Sequence, residues 1–383
     1  MSKKSQSPVD LDRFAIERRR FLAEGTMYGA GGILASLGLS RYAVAQAQTA
    51  AAGAAGPGAR PALPPEPKVS QPAPLHDLKG KVAYITAASD GIGLGIARAA
   101  ANAGMKVCVG YRNEERLKAA LPLFKKGSAI LPVKHDVTDR DAWAKVLDQI
   151  KSEFGKLHLM VNNAGSKTRA KASEASFDEW DNAVAVNYTA TYNSVAVCLP
   201  HMLEHGEGSH IVVTSSMSGL LPGGNLGVYT ATKIAAVGLI EALRVELEGT
   251  TVGTSAFVPG GVNTDNYIGT GEQNPYRAAH PMPGPPSGVP RPAGPPPGMD
   301  PLEAGERVLN GVIHNDLFIV THPEYMPGTK QRFDAILASV PEEDTPPPAQ
   351  RVQFEQRVLH AGIYPREIAH RKKKRKSYRS VTV

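Results

Sequence analysis

Val82-Ala83-Tyr84-Ile85-Thr86-Ala87-Ala88-Ser89-Asp90-Gly91-Ile92-Gly93-Leu94-Gly95 changes character halfway along. Its first five residues form a short, mostly apolar run suited to a strand buried on both faces. Glycines follow at 91, 93 and 95, and Ile96 to Ala103 is Ala-rich and helical, closing at Gly104. A glycine-rich turn from strand to helix lets the backbone approach a pyrophosphate, whose charge the helix N-terminus favours. By itself the pattern arises often by chance. Its weight depends on the rest of the chain.

Downstream, apolar runs suited to strands recur at Lys106 to Tyr111, Ile130 to Val133, Leu157 to Val161, Ile211 to Ser215, Thr251 to Val258 and Asp316 to Thr321. Helical patterns alternate with them: Trp143 to Phe154, Phe177 to Val186, Tyr229 to Glu248, Leu302 to Ile313 and Lys330 to Val340, with one more expected over Val352 to Ile363. Such alternation predicts an α/β fold with a parallel sheet. Trp143, Val146, Leu147, Ile150 and Phe154 share one helix face and belong to the core. The second strand ends in Tyr111-Arg112-Asn113, where dinucleotide folds read the adenosine ribose. An acid there suits NAD, and an Arg suits the extra phosphate of NADP, which it can bind bidentately. His201 and His205 are four apart, but Glu204 does not fit the zinc-protease pattern and no third ligand follows. They read as a polar helix end before Gly206 and Gly208, and no metal site is expected.

Tyr229-Thr230-Ala231-Thr232-Lys233 puts a Tyr and a Lys on one helix face, a turn apart. Thirteen residues earlier, Ser216 closes the run His210-Ile211-Val212-Val213-Thr214-Ser215-Ser216. Asn162-Asn163-Ala164-Gly165 and Asn187 lie between these residues and the glycine-rich turn. In this order the motifs resemble the short-chain dehydrogenase/reductase family, over roughly residues 78 to 340.

The resemblance implies a Rossmann-like doubly wound sheet of order 3-2-1-4-5-6-7 in a single domain, with helices on both faces. It implies a catalytic set of Asn187, Ser216, Tyr229 and Lys233. A hydride moves between nicotinamide and a carbonyl carbon, and Tyr229 exchanges the proton with the oxygen. Bringing a tyrosine from about pKa 10 to about 7 takes roughly 4 kcal/mol, which a cationic Lys233 at close range is expected to supply. Lys233 would also hold the nicotinamide ribose, Ser216 the substrate oxygen, and Asn187 a relay water. The implied cofactor contacts are Thr86, Ser89, Asp90, Gly91, Ile92 and Gly93 at the first turn, Arg112 at the ribose and Asp136-Val137 at the adenine. Asn163, Ala164 and Gly165 follow the fourth strand, and Pro259, Gly260, Val262 and Thr264 form the turn passing the nicotinamide, with Tyr229 and Lys233 completing the set. Tyr111 stands where the family's NAD enzymes carry Asp, so NADP(H) is expected, with NAD(H) as the alternative. The family's first turn glycine is replaced by Ala87, which requires φ < 0 or some strain. The Tyr229 helix is often an oligomer interface in the family, which implies a homodimer or homotetramer. Asn187-Tyr188-Thr189 also matches a glycosylation sequon, unavailable if buried.

The net charge of +7 belongs to the ends: residues 1–45 carry +3 and 365–383 carry +7, leaving −3 for 46–364. The core therefore has no nucleic-acid footprint. The 31 prolines cluster near 57–74, 275–301 and 341–348. Two cysteines, Cys108 and Cys198, do not suggest a disulfide framework. Arg18-Arg19-Arg20-Phe21-Leu22, a Gly-rich apolar stretch from Gly25 to Leu39 and Ala43-Val44-Ala45 read in order as a secretory signal. The paired Arg resembles the twin-arginine signal. The expected organisation is a signal over 1–45, an Ala/Pro/Gly-rich linker over 46–75, the catalytic domain over 76–340 and a C-terminal extension over 341–383. Within the domain, 266–301 is a Pro-rich lid or disordered insertion, and the six cations Arg371 to Lys376 read as a disordered, solvated tail, with weak contact to anionic lipid or nucleic acid as the alternative.

The expected function is NADP(H)-dependent interconversion of a small-molecule carbonyl and alcohol, in the periplasm after passage through the twin-arginine translocase, or in the cytoplasm without the signal. The enzyme alternative is an extended-branch epimerase or dehydratase. From another class, the rival is a nucleotide-binding sensor that lost turnover.

Overall fold

Strand and helix alternate as the sequence predicts: β1 (Val82–Ile85), α1 (Gly91–Asn102), β2 (Lys106–Tyr111), α2 (Glu114–Ala120), β3 (Ile130–Lys134), α3 (Ala142–Phe154) and β4 (Leu159–Asn162). The second half contains α4 (Phe177–Val184), α5 (Ala190–Glu204), β5 (Ser209–Thr214), α6 (Gly227–Glu246) and β6 (Val252–Val258). It closes with α7 (Pro301–His314), β7 (Phe318–Val320), α8 (Met326–Ala338) and α9 (Ile363–Arg371). This computed structural model describes residues 72–168, 170–264, 298–341, 348–351 and 362–371. The chain divides at Pro64–Pro65, and every described residue belongs to the second unit. The signal reading lies outside the described residues, as do 46–71 of the expected linker and 266–297 of the expected Pro-rich segment. The linker's described end is not free chain, since Leu75 is buried in the core, and Pro301 begins α7.

The seven strands form one parallel sheet in the order β3-β2-β1-β4-β5-β6-β7. Every residue of β1, β4, β5 and β6 is buried, which is why those segments read as continuous apolar runs. On one face, Tyr84, Met160 and Ile211 pack with Trp143, Met202, Ile240 and Leu243 from α3, α5 and α6. On the other, Ile85, Val161 and Phe257 pack with Ile96, Ala100, Val308 and Val312 from α1 and α7. Helices α1 and α7 approach through glycine: a Cβ on Gly95 would collide with Pro301 O, and one on Gly305 with Gly95 O.

Ala87 adopts φ +51°, so strain, not the φ < 0 alternative, accommodates the missing glycine. A left-handed Ala costs about 1–2 kcal/mol. Neighbouring bonds hold it there, including Ala88 N–H to Gly110 O at 2.7 Å and Asn163 Nδ2 to Thr86 O at 3.2 Å.

The C-terminal extension corrects the sequence reading. Most of the expected Val352 to Ile363 helix lies outside the described residues, whereas α9 begins where it was to end. Arg371 is not the start of a solvated tail. It pairs with Asp316 at 3.1 Å and donates to Phe318 O at 2.6 Å, and His370 lies 3.0 Å from the same carboxylate. Asp316 is 1 % exposed, and a carboxylate buried so deeply requires charged partners.

Ala87→Gly should relieve the left-handed strain while loosening the unfolded chain by about 0.4–1 kcal/mol. A net stabilisation of up to about 1 kcal/mol is expected in urea unfolding. A lowered midpoint would contradict the strain.

Candidate active site

The carboxyl ends of β1, β4, β5 and β6 carry the residues that the sequence singles out. Thr86 Oγ1 accepts the N–H groups of Asn163 and Ala164, each at 2.9 Å, and joins the end of β1 to the turn after β4. Asn163 donates to Thr86 O and, at 3.5 Å, to Ala87 O, while Thr214 Oγ1 on β5 donates to its Oδ1 at 3.4 Å. Thr86 and Asn163 thus tie three strand ends together and shape the site from behind. Gly93 is required by this closeness, since a Cβ there would stand 2.5 Å from Asn163 Nδ2 and collide with Ala87 O.

Ser89, Asp90, Gly91 and Ile92 are half-buried at the start of α1, with Gly91 at φ +53°. Asp90 is the helix N-cap, accepting from Gly91 N–H at 2.6 Å. Its carboxylate also accepts from Arg116 Nη1 at 2.5 Å. An anion at a helix N-terminus competes with a phosphate there, and Arg116 offsets that charge. A cavity of about 280 Å³ flanks this turn, lined by Asp90, Leu94, Arg98, Thr264 and Asp300 among others. It belongs to the glycine-rich turn and does not include Ser216, Tyr229 or Lys233.

At the end of β2, the exposed Arg112 pairs with Asp136 at 3.2 Å, linking the ends of β2 and β3. Burial raises the Asp136 carboxyl, but two hydrogen bonds from Thr138 and the Arg112 charge together hold it below the usual carboxylate range. Val137 is buried, and its carbonyl accepts from Trp143 Nε1 at 3.0 Å.

Tyr229 lies in the first turn of α6, where the positive end of the helix dipole favours negative charge. Ser216 follows the end of β5, near enough to Tyr229 to draw its phenol pKa down. Lys233, one turn further, is buried and donates to Thr214 O at 2.8 Å, with Nζ 5.5 Å from the Tyr229 ring centre. Burial pushes its pKa down to about 8. Burial raises the Tyr229 phenol, and the neighbouring Ser216 pulls it down.

Asn187 sits in a π-helical segment, Ala185–Thr189, between α4 and α5. The extra residue in that turn lets its side chain bridge two elements. Nδ2 donates to Ser166 O at 2.9 Å and Thr232 Oγ1 at 3.0 Å, and Oδ1 accepts from Ser166 N–H at 2.7 Å. At 2 % exposure Asn187 is closed to a glycosylating enzyme. A Cβ built on Gly165 would stand 3.5 Å from both Asn187 Oδ1 and Lys233 Nζ. Gly165 therefore leaves an open cradle lined by an amide oxygen and an amine.

After β6, Pro259 O accepts from Met217 N–H at 2.9 Å, joining this turn to the residue after Ser216. Gly260 N–H meets His322 Nδ1 at 2.9 Å. Val262 bridges Met299, and Asn263 bonds Gly298 in both directions, so the two ends of the Pro-rich segment are clasped together. Thr264 lies beside the glycine-rich turn, 3.1 Å from a Cβ built on Gly91.

The structure thus gathers Asn187, Ser216, Tyr229 and Lys233 with Gly165 and the Pro259–Val262 turn, and the glycine-rich turn joins them through Thr264. Arg112 and Asp136 stand further along the same sheet edge, at β2 and β3. The sequence reading missed Arg116, Thr214, Ser166, Thr232 and His322. Only Arg116 had a local signal, as a second cation four residues after Arg112. Among the described residues no cluster suited to a metal occurs. The cradle at Gly165, the helix N-terminus beside the cavity and the turn glycines fit an extended nicotinamide dinucleotide.

A Rossmann-like sheet with this edge defines an NAD(P)-dependent oxidoreductase. The family model for short chain dehydrogenases matches residues 81–274, just over half the chain, and the protein belongs to that family. A Cα-dehydrogenase of Sphingobium sp. strain SYK-6 is 28% identical over 299 residues, spanning 73% of this chain and 93% of that protein. The solved structure of a short-chain dehydrogenase from Novosphingobium aromaticivorans matches with a TM-score of 0.63 at 28% identity, over 76% of this chain and 99% of that one. A short-chain dehydrogenase/reductase from Burkholderia phymatum, solved with NAD, matches at 0.61 and 26% identity, over 71% of this chain and 99% of that one.

Because burial disfavours the Lys233 ammonium, the cation is present below about pH 8 and lost above it. Nucleotide affinity of the free protein should be level on the acid side and fall as pH rises through about 8. Lys233→Arg should keep it level. A wild-type titration without that inflection would show that the ammonium does not meet the ligand.

Proposed function

We propose that the protein interconverts a carbonyl and an alcohol using NADP(H), with Tyr229 as the acid and base. The observation that carries this reading is the phenol itself, beside Ser216, one helical turn from Lys233 with Nζ 5.5 Å from its ring centre, and raised by burial so that it keeps its proton. The bound nicotinamide supplies or accepts the hydride. Ser216 orients the substrate oxygen, and Tyr229 donates its proton to that oxygen during reduction or takes it back during oxidation. Lys233 holds the nicotinamide ribose from the Gly165 cradle, and Asn187 fixes the wall of that cradle and the path of a relay water. The named activity of the Sphingobium relative, a Cα-dehydrogenase, supports alcohol and carbonyl chemistry. Arg112 and Arg116, at the ends of β2 and α2, favour the 2′-phosphate of NADP(H), although the Burkholderia structure holds NAD.

A panel of ketones, aldehydes and quinones tests both parts. Wild type should consume NADPH at lower KM than NADH. Tyr229→Phe should lose most turnover, about 10²-fold or more, while NADPH affinity stays within about twofold. Normal turnover by the Phe variant would remove Tyr229 from the chemistry, and equal use of both cofactors would remove the NADP preference.

We also propose that residues 1–45 export the folded, nucleotide-bound protein to the periplasm through the twin-arginine translocase, as a homodimer or homotetramer using α6. The order of Arg18-Arg19, the apolar stretch and Ala43-Val44-Ala45 supports the signal, and Ile234 and Val245, exposed on α6, support the assembly. A site drawing on residues from Thr86 to Thr264 completes itself only once the sheet is built, which suits export after folding. Fractionation and light scattering check this together: mature wild type should be periplasmic and oligomeric, and Arg18→Lys with Arg19→Lys should leave an uncut precursor inside. Uncut cytoplasmic wild type, or a monomer, would overturn the corresponding part.

A further inference from the structure

His322 stands just beyond β7, and nothing in its sequence context singles it out. It is 8 % exposed, and both ring nitrogens bond one short stretch of backbone. Nδ1 accepts from Gly260 N–H at 2.9 Å, while Nε2–H donates to Gly261 O at 3.0 Å. A single neutral tautomer, with its proton on Nε2, satisfies both bonds. Thr321 Oγ1 lies 2.8 Å from Nδ1 and steadies the ring from behind. The imidazole packs closely on the turn: a Cβ on Gly260 would stand 2.6 Å from its Cγ and 2.7 Å from its Cδ2.

The opposite side of the same turn is held just as closely. Pro259 O accepts from Met217 N–H at 2.9 Å, next to Ser216, and Gly261 O also accepts from Met299 N–H at 2.9 Å. The turn is therefore clamped between the Ser216 segment and His322, at the end of the site where the hydride must move. An apolar side chain would fill the volume beneath Gly260 as well as an imidazole does. It would not fix the orientation of the Gly260 and Gly261 peptides, nor therefore the direction in which the chain leaves toward Val262.

We infer that His322 is a positioning residue for the nicotinamide half of the cofactor, acting through the Gly260–Gly261 backbone that it brackets. This rests on the functional reading above. The inference separates the two ends of the ligand: the adenosine end is served by Arg112 and the glycine-rich turn, which His322 does not touch.

Calorimetry and fluorescence titration of the full-length protein compare NADPH with 2′-phospho-ADP-ribose, which lacks nicotinamide. His322→Phe should weaken NADPH about tenfold, the scale of one to two net hydrogen bonds, and leave the fragment within about twofold. His322→Asn, which keeps the acceptor for Gly260 N–H, should recover part of the loss. His322→Gln, which keeps a donor for Gly261 O, carries the same comparison if the Phe variant does not fold. Equal weakening of both ligands would mean general loosening of the site and overturn the inference, as would undiminished NADPH binding by the Phe variant. Wild type that binds the fragment but gains nothing from the nicotinamide would overturn it too. Wild type that binds neither ligand, nor NADH, would overturn the functional reading and this inference with it.

Discussion

Everything at the candidate site depends on the seam between Thr86 and the Asn163–Ala164 backbone. Strand order reverses here, because β1 has β2 on one side and β4 on the other. The reversal opens a crevice at the strand ends, where ligands bind in open α/β sheets. Thr86 Oγ1 closes the bottom of that crevice with two 2.9 Å bonds, and Asn163 reaches from it to Ala87 on one side and Thr214 on the other. Thr214 in turn offers its carbonyl to Lys233. Gly93, Gly165 and the strained Ala87 are local consequences of how near these strand ends lie.

Electrostatics at the same edge are arranged in balanced pairs. Asp90 with Arg116 and Asp136 with Arg112 each put a carboxylate next to a guanidinium where an anionic ligand would lie. These pairs are partly or largely exposed, so their attraction is screened and contributes little to stability. Their guanidinium groups can therefore exchange a carboxylate for a phosphate at little cost. Lys233 is the opposite case. It is buried, its ammonium donates to the neutral Thr214 carbonyl, and its charge is disfavoured enough to bring its pKa to about 8. A group so placed gains from any negative charge that enters the Gly165 cradle.

The sheet was legible because its strands are buried on both faces and flanked by amphipathic helices, as β1 and α3 illustrate. The candidate site residues could be named through the family resemblance, which ties Ser216, Tyr229 and Lys233 to the end of β5 and the start of α6. Three kinds of feature were not. The π turn that carries Asn187 leaves no mark on helical periodicity, so Phe177 to Val186 read as ordinary helix. The Tyr229 phenol is raised by burial that depends on the packing around α6, which sequence spacing does not encode. His322 and Arg371 act on backbone and on a buried carboxylate brought near by the fold, 62 and 55 residues away in sequence. Without those partners, one reads as a loop histidine and the other as the first cation of a basic run.

The same residue types behave differently at the two ends of the strands. At the amino ends, His201 Nε2 accepts from Leu157 N–H at 3.2 Å, and His205 lies 2.9 Å from Leu157 O. His158 accepts from Val82 N–H at 3.1 Å and meets Glu207 at 2.9 Å. Hydrogen bonds from Lys156, Lys81 and His158 hold the Glu207 carboxyl far below its usual range, and burial holds His158 down. Each of these imidazoles already serves backbone, and His201 with the C-cap His205 closes the end of α5. At the carboxyl ends, Tyr229 and Lys233 project from a helix rather than close a strand end, and Gly165 keeps the space before them open. Polar side chains at the first edge complete the fold; at the second, the fold completes itself through Thr86 and Asn163 and leaves the remaining polar groups to a ligand.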